Sequence, residues 1–272
     1  PTTKKEIEHL GWDYIDVILF TGDAFIDHPS FGTAVIARWL QKYGYRVAVV
    51  PQPNWRDDLR DFRKLGAPRL YFGVNAGAMD SMVNHYTANR RKRSDDAYTP
   101  NGKAGMRPDY PSIIYTQALK KLYPDVPVII GGIEASMRRL SHYDYWQDTL
   151  RPSILIDSKA DILVYGMGEK PILEIANYLR DGKQISELTD IPQTAICVNA
   201  SSIPEHLDSE KEELLHSHEE CLKDKKLHAA NFKVIEIESN KWQGRTLWQK
   251  VGNRAVKVNG TNPPLSESEI DS

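Results

Sequence analysis

The sequence predicts an α/β fold, a doubly wound and mostly parallel sheet of the cobalamin-binding-like (Rossmann or flavodoxin-like) kind, followed by a C-terminal α+β extension. Short apolar runs alternate with helix-length segments from residue 12 to 184. Glycine stands just beyond most of those runs, at Gly22, Gly73, Gly131 and Gly166, where a chain leaving a strand must turn. Past Gln184 the alternation gives way to charged sequence. Residues 12–184 therefore read as the doubly wound domain, 185–260 as a connecting extension and 261–272 as a linker.

The elements follow in order. Tyr14–Phe20 is an apolar run that stops at Thr21-Gly22-Asp23 and reads as a buried strand. A helix is expected from Phe31 to Tyr43, ended by Gly44. Arg46–Val50 is the second strand, Asp57–Lys64 a short helix and Leu70–Phe72 the third strand. A helix over Ser112–Leu122 and a strand over Val126–Ile130 follow. Residues 133–159 read as irregular, Ile162–Tyr165 as a strand and Pro171–Leu179 as a helix closed by Asp181-Gly182. In the extension Thr194–Val198 is a strand. Ser209 and Glu212 have capping-box spacing and open a charged helix to about His228. Phe232–Glu238 alternates like a half-exposed strand, and Arg254–Val258 is a strand that needs a neighbour.

At 272 residues and a formal charge of −2, the chain can bury a substantial core and has no global attraction for nucleic acid or membrane. Two cysteines are too few for a disulfide framework and suit a reducing compartment. The N-terminus lacks the apolar core of a signal peptide, and no run approaches a membrane span of ~18 apolar residues. Cytoplasm is the expected location. The first residue is Pro rather than Met, which suits a processed or excised piece.

The connection between the third strand and the helix at Ser112 far exceeds the ~12–15 residues usual for a structureless loop, so it is read as functional. It carries six Lys or Arg residues, and Met79, Met82, Val83 and Tyr86 at helical spacing argue that its first half packs. Within it, Asn84 and His85 precede Arg90, Arg91 and Arg93, a run suited to gripping an anion through guanidinium forks. The competing reading is a solvated face part-neutralised by Asp95 and Asp96. Asp27 and His28 stand at a strand-to-helix junction, where His28 would ligate a metal or a phosphate, or Asp27 would simply cap the helix. His142 and Asp144 lie in an aromatic stretch whose Tyr143, Tyr145 and Trp146 could stack a base; the favoured reading is that these aromatics plug the sheet end against a neighbouring domain, with His142 and Asp144 as the candidate site residues. Gly131, Gly132, Gly166 and Gly168 allow close backbone approach of a ligand, and Glu169 beside them is a candidate binding residue or simply suits a helix start. All these loops leave carboxyl ends of strands, where doubly wound sheets bind ligands. No metal site is expected from His216, His218, Cys221 and His228, because the first two fall on different helical faces.

The segments GDAFIDHPSFG, AGAMDSMVNHYTANRRKRSDDAYTPNGKAG, GGIEASMRRLSHYDYWQD, DSKADILVYGMGE and NPPLSESE are long and idiosyncratic. Through them nearly the whole chain resembles the N-terminal region of the YgiQ family of radical S-adenosylmethionine proteins. The resemblance implies a cobalamin-binding-like domain preceding a radical S-adenosylmethionine barrel, whose CxxxCxxC motif holds a [4Fe–4S] cluster. That motif is absent here, and Cys197 and Cys221 are too far apart to replace it. The expectation is an accessory domain, inert alone, that covers the barrel and binds substrate or a second cofactor. Cobalamin is one candidate. Its Asp-x-His-x-x-Gly signature is out of register, since Asp27 and His28 are adjacent and Gly32 lies four residues beyond His28. Two other functions compete: an RNA- or nucleotide-binding module built on the basic loop over residues 84–107, and a purely structural interface with the barrel.

Overall fold

The computed structural model describes residues 1–25 and 31–270; the Asp27 and His28 candidates lie outside them. The chain divides into two compact units, residues 1–189 and 190–272. Unit 1 begins with a short helix, α1 (Lys4–His9), opened by a Thr3–Glu6 capping box. Then come β1 (Val17–Thr21), α2 (Phe31–Lys42), β2 (Val47–Pro51), α3 (Arg60–Arg63), β3 (Tyr71–Asn75) and α4 (Ser81–His85). They are followed by α5 (Pro111–Leu122), β4 (Val128–Gly131), α6 (Gly132–Met137), β5 (His142–Asp144) and β6 (Thr149–Arg151). The unit ends with α7 (Ile154–Ser158), β7 (Ile162–Val164) and α8 (Glu169–Arg180).

Five strands form a parallel sheet in the order β2-β1-β3-β4-β7. The chain moves outward from β1 to β2 and then returns to β3 on the other side, so the strand order reverses between β1 and β3. Such a reversal opens a crevice at the carboxyl ends. Side chains alternate across the sheet. On one face Phe20 stacks on Phe62 of α3 at 5.2 Å, and Phe62 meets Tyr115 of α5 edge-on at 5.6 Å. On the other face Leu19 sits where Gly73 leaves room: a Cβ there would come within 2.6 Å of Leu19 Cδ2. That second face carries α2 and α8, and the Tyr45 hydroxyl, in the connection from α2 to β2, donates to Asn177 Oδ1 of α8 at 2.6 Å.

The segment over 133–159, expected to be irregular, contains α6, the antiparallel hairpin β5–β6 and α7. Each of these elements is three to six residues long, too short to show a period. The long connection after β3 is ordered. Asp80 caps α4 through the Met82 and Val83 amides, and bridges Tyr86–Lys92 and Asp95–Lys103 fold the rest of the connection back on itself. Its apolar spacing was only half informative, because Met82 is buried while Val83 is exposed and α4 buries Ser81, Asn84 and His85 instead.

Unit 2 contains β8 (Thr194–Asn199), β9 (Glu212–Leu214), α9 (His218–Lys223), α10 (Lys225–Ser239), β10 (Thr246–Val251), β11 (Arg254–Val258) and α11 (Glu267–Ile270). β8, β11 and β10 pair antiparallel, and β9 lies parallel to β10. Two expectations fail here. The helix expected from Ser209 is a turn closed on Asp208, leading into β9; the capping box that forms is Ser217–Glu220, at the start of α9. His216 accordingly precedes that helix rather than lying on a face of it. The strand expected over Phe232–Glu238 is part of α10, whose buried side is polar: Asn231 bonds the His216 backbone and Cys221 Sγ, and Glu238 pairs with Arg245. Polar residues at i and i+7 masked the helical period. Ser217→Ala is expected to lower the stability of unit 2 by about 1 kcal/mol, read from urea denaturation followed by circular dichroism. Among the described residues no helix is long and apolar enough to cross a membrane.

Candidate functional site

The carboxyl ends of β1, β3, β4 and β7 in unit 1 open into a cleft of about 350 Å3. Leu19, Val74, Ile129, Ile130 and Val164 supply apolar walls. Glycine makes up seven of the twenty lining residues: Gly32, Gly73, Gly77, Gly131, Gly132, Gly166 and Gly168. Among the described residues no lysine or arginine lines it. Asn75 holds the mouth in shape. Its Oδ1 accepts from the Thr21 hydroxyl and the Gly77 amide, both at 2.9 Å, and its Nδ2 donates to Thr33 Oγ1 of α2 at 3.0 Å. Gly132 has φ +78, and a Cβ on it would come within 3.2 Å of the Asn75 Cβ. Glycine is thus required there by both backbone and neighbour.

Beside the cleft lies a buried ion cluster centred on Arg107, whose residue exposure is 1%. Its guanidinium grips Asp96 through two bonds, Nε to Oδ2 at 3.1 Å and Nη2 to Oδ1 at 3.0 Å. Nη1 donates to Asp23 Oδ1 at 3.0 Å and to the Ala76 carbonyl at 2.9 Å. Asp23 Oδ2 in turn accepts from the Ala78 amide at 2.7 Å. One side chain therefore fastens the exits of β1 and β3 to the far end of the long connection. Burial pushes the Asp96 carboxyl up, but the hydrogen bonds and charge of Arg107 prevail and hold it below its usual range. The cluster extends to His85, whose Nδ1 is 2.8 Å from Asp109 Oδ1 and whose Nε2 is 4.0 Å from Asp96 Oδ2. The Asp109 carboxyl is lowered chiefly by its hydrogen bond to His85, and it also accepts from the Tyr86 hydroxyl at 2.9 Å.

A second group joins α4, α5, α6 and the β5–β6 hairpin. The Arg138 guanidinium pairs with Asp80 and donates to the Glu134 carbonyl at 3.2 Å. Glu134 Oε1 accepts from the Ser112 amide at 3.0 Å, and burial pushes its carboxyl up against the opposing charge of Arg138. Asp144 accepts from the Tyr110 hydroxyl at 2.5 Å and from the Trp146 and Gln147 amides at 3.0 Å, so it closes its own hairpin.

His142, half-buried beside these groups, has its pKa depressed from 6.5 to about 4, first by burial and then by Arg138. Between pH 6.5 and 4 the unfolded chain binds this proton and the folded chain does not, so stability falls as pH falls through that window. The expected loss is on the order of 2–3 kcal/mol, and His142→Asn should flatten that part of the profile. Denaturation midpoints at half-unit pH steps for both proteins check it, the difference between them cancelling the opposite slope from Glu134.

The structure distributes the sequence candidates over distinct places. Gly131, Gly132, Gly166, Gly168 and Glu169 line the cleft. Asn84 and His85 are buried in the ion cluster region rather than offered to an anion. Arg90, Arg91 and Arg93 are exposed on a turn in which Arg90 has φ +60. Asp96, expected to neutralise that run, is buried against Arg107. In the aromatic stretch Tyr143 and Tyr145 are 51% and 44% exposed. The Arg90 guanidinium lies 4.5 Å from the Tyr145 ring centre, and the Tyr145 hydroxyl donates to the Ala88 carbonyl at 2.8 Å. Sequence reasoning missed Asp23, Arg107, Asp109, Thr33 and Asn75. An Arg-Pro-Asp triplet opposite an Asp just beyond a strand was the available signal for the first three.

The family model described as Radical SAM N-terminal matches residues 1–272. The chain belongs to this family. A UPF0313 protein of Porphyromonas gingivalis is 60% identical, covering 100% of this chain and 42% of the relative. One from Bacteroides thetaiotaomicron is 58% identical, covering 100% and 45%. The UPF0313 protein YgiQ of Escherichia coli is 43% identical, covering 100% and 43%. The chain thus spans less than half the length of these curated relatives. Two solved structures of the radical S-adenosylmethionine methyltransferase TsrM from Kitasatospora setae are also similar. The one with tryptophan substrate and a SAM analog bound has 19% identity and a TM-score of 0.44, covering 66% of this chain and 28% of that one. The one with cobalamin and a [4Fe–4S] cluster bound has 17% identity and a TM-score of 0.45, covering 67% and 27%.

The residues of this chain do not fit an iron–sulfur cluster. Cys197 lies on β8, and Cys221 lies in α9 with its sulfur accepting from Asn231. A cluster needs more thiolates than these. Among the described residues no three His, Cys, Asp or Glu side chains are arranged to hold a metal.

Proposed function

We propose that this chain is the ligand-holding accessory domain of a longer cytoplasmic radical S-adenosylmethionine enzyme. The glycine-rich cleft at the strand ends carries this reading, because it brings together apolar walls, accessible backbone and a few fixed polar groups, the usual composition of a small-molecule site. The [4Fe–4S] cluster and S-adenosylmethionine belong, on this reading, to the barrel in the rest of the longer protein. The domain supplies substrate or a second cofactor to that barrel and is inert by itself. The buried Arg107 cluster keeps the long connection folded beside the cleft, so the basic turn is a supported surface facing the barrel or its substrate.

The test is anaerobic reconstitution with iron and sulfide of this chain and, in parallel, of the full-length Porphyromonas gingivalis relative. Only the longer protein is expected to take up a cluster and release 5′-deoxyadenosine from S-adenosylmethionine. Cluster-dependent cleavage by this chain alone would overturn the accessory role. Adding cobalamin to both and recording the visible spectrum after gel filtration tests that cofactor directly.

The exposed Arg90–Tyr145 pair, with Arg91 and Arg93 beside it, favours a second reading in which the turn grips RNA by phosphate contact and stacking. On that reading Arg91→Ala lowers RNA affinity and reduces the slope of affinity against salt by about one charge, measured by fluorescence anisotropy.

A further inference from the structure

Glu169 is the one acidic residue lining the cleft among the described residues. It opens the twelve-residue helix α8, and its Oε2 is buried yet accepts no hydrogen bond from the described residues. A buried carboxylate oxygen left without a donor is costly, so a bound molecule that donates to it would be strongly selected for. Gly32, in the first turn of α2, faces the same space. A Cβ built there meets no described atom within 4 Å. Among the described residues nothing in the packing calls for glycine at that position, whereas a ligand lying against α2 would.

We propose, building on the cleft reading above, that this cleft binds an unphosphorylated nucleoside or a ligand of that chemistry. The flat base lies against the glycine turns and apolar walls, and the sugar hydroxyls donate to Glu169. Three features narrow the class. The volume of about 350 Å3 suits a nucleoside-sized ligand and is at the small end for cofactor pockets. With no lysine or arginine among the described lining residues and a carboxylate at the edge, a phosphate would have no cationic side chain to pair with and would meet the charge of Glu169. A flat ligand without hydroxyl or amine donors would leave the Glu169 oxygen unsatisfied. The diol-to-carboxylate bond is the arrangement by which acidic side chains in doubly wound sheets hold ribose, here made by a residue at the start of the last helix of unit 1.

Equilibrium dialysis of the 272-residue chain with radiolabelled adenosine, 2′,3′-dideoxyadenosine, AMP and hydroxocobalamin tests this. Adenosine should bind at least tenfold more tightly than the dideoxy analogue or AMP, a comparison that needs no variant. Glu169→Gln should weaken adenosine roughly tenfold or more and change the dideoxy analogue less than about twofold. Gly32→Leu, which fills the cleft, should abolish adenosine binding. Equal affinity for adenosine and AMP, or an unchanged adenosine affinity in Glu169→Gln, overturns the nucleoside assignment. If adenosine fails and hydroxocobalamin binds only when Gly32 is intact, the nucleoside assignment falls while the cleft remains a ligand site. Should no probe bind in a way that depends on Gly32, both fall.

Discussion

Arg107→Met is expected to lower the stability of unit 1 by about 3–5 kcal/mol, because it strands Asp23 and Asp96 inside the protein without their cation. Methionine fills much of the same volume, so the loss would come from uncompensated charge rather than from a cavity. Arg107→Lys separates charge from geometry: one ammonium cannot reproduce two bonds to Asp96 while reaching Asp23 and the Ala76 carbonyl. It should recover only part of the loss. Urea denaturation of the three proteins at neutral pH gives the numbers, and a cost below about 1 kcal/mol for Arg107→Met would mean that Asp23 and Asp96 find water or protons instead. The Met variant should also expose residues 76–110 to limited proteolysis at concentrations of urea where the sheet is still folded.

Gly77→Ala is expected to cost about 2–4 kcal/mol, a large effect for one methyl group. The residue has φ +108, a conformation side chains rarely adopt, and that alone costs on the order of 1 kcal/mol. The added Cβ would also stand 2.1 Å from Asp23 Oδ1 and 2.7 Å from Oδ2. Asp23 would have to move, giving up its bonds to Arg107 and the Ala78 amide. Gly105→Ala is the control: it has φ +80 but no neighbour of its Cβ nearer than 3.6 Å, so it should show the backbone cost alone, about 1 kcal/mol. Thermal denaturation of both variants compares them. In a double-mutant cycle, Gly77→Ala combined with Asp23→Asn should cost less than the sum of the two, since both act on one carboxylate.

The sheet was legible because its strands are nearly all apolar and its exits are marked by glycine; β1, β2, β3, β4 and β7 each lie within a few residues of the apolar run that announces them. The cleft was partly legible for the same reason, since Gly131, Gly132, Gly166 and Gly168 could be read as places where backbone meets ligand. Glu169 was a candidate binding residue beside these glycines, but nothing in a sequence shows that one of its oxygens is buried without a donor. The Arg107 cluster went unread, its one trace being the Arg-Pro-Asp triplet at 107–109. Its members come from the exits of two strands and from the long connection, and charged residues inside a protein leave no periodic trace. The same holds for α10, where Asn231 and Glu238 occupy positions that a hydrophobic pattern would have filled.

Arg107 follows Asp23 by 84 residues. At ordinary rates of synthesis the aspartate waits on the order of 4–17 s for its cation to be added to the chain. β2 and β3 are made in that interval, so the exit of β3 is on the chain before the guanidinium that ties it to the exit of β1. The two exits are fastened to each other and to Asp96 only once residue 107 is on the chain. Leu19 and Val74 of the cleft wall are on the chain by then, while Ile129, Ile130 and Val164 are still to be made, so the first apolar side chains of the cleft are what a chaperone would find to bind.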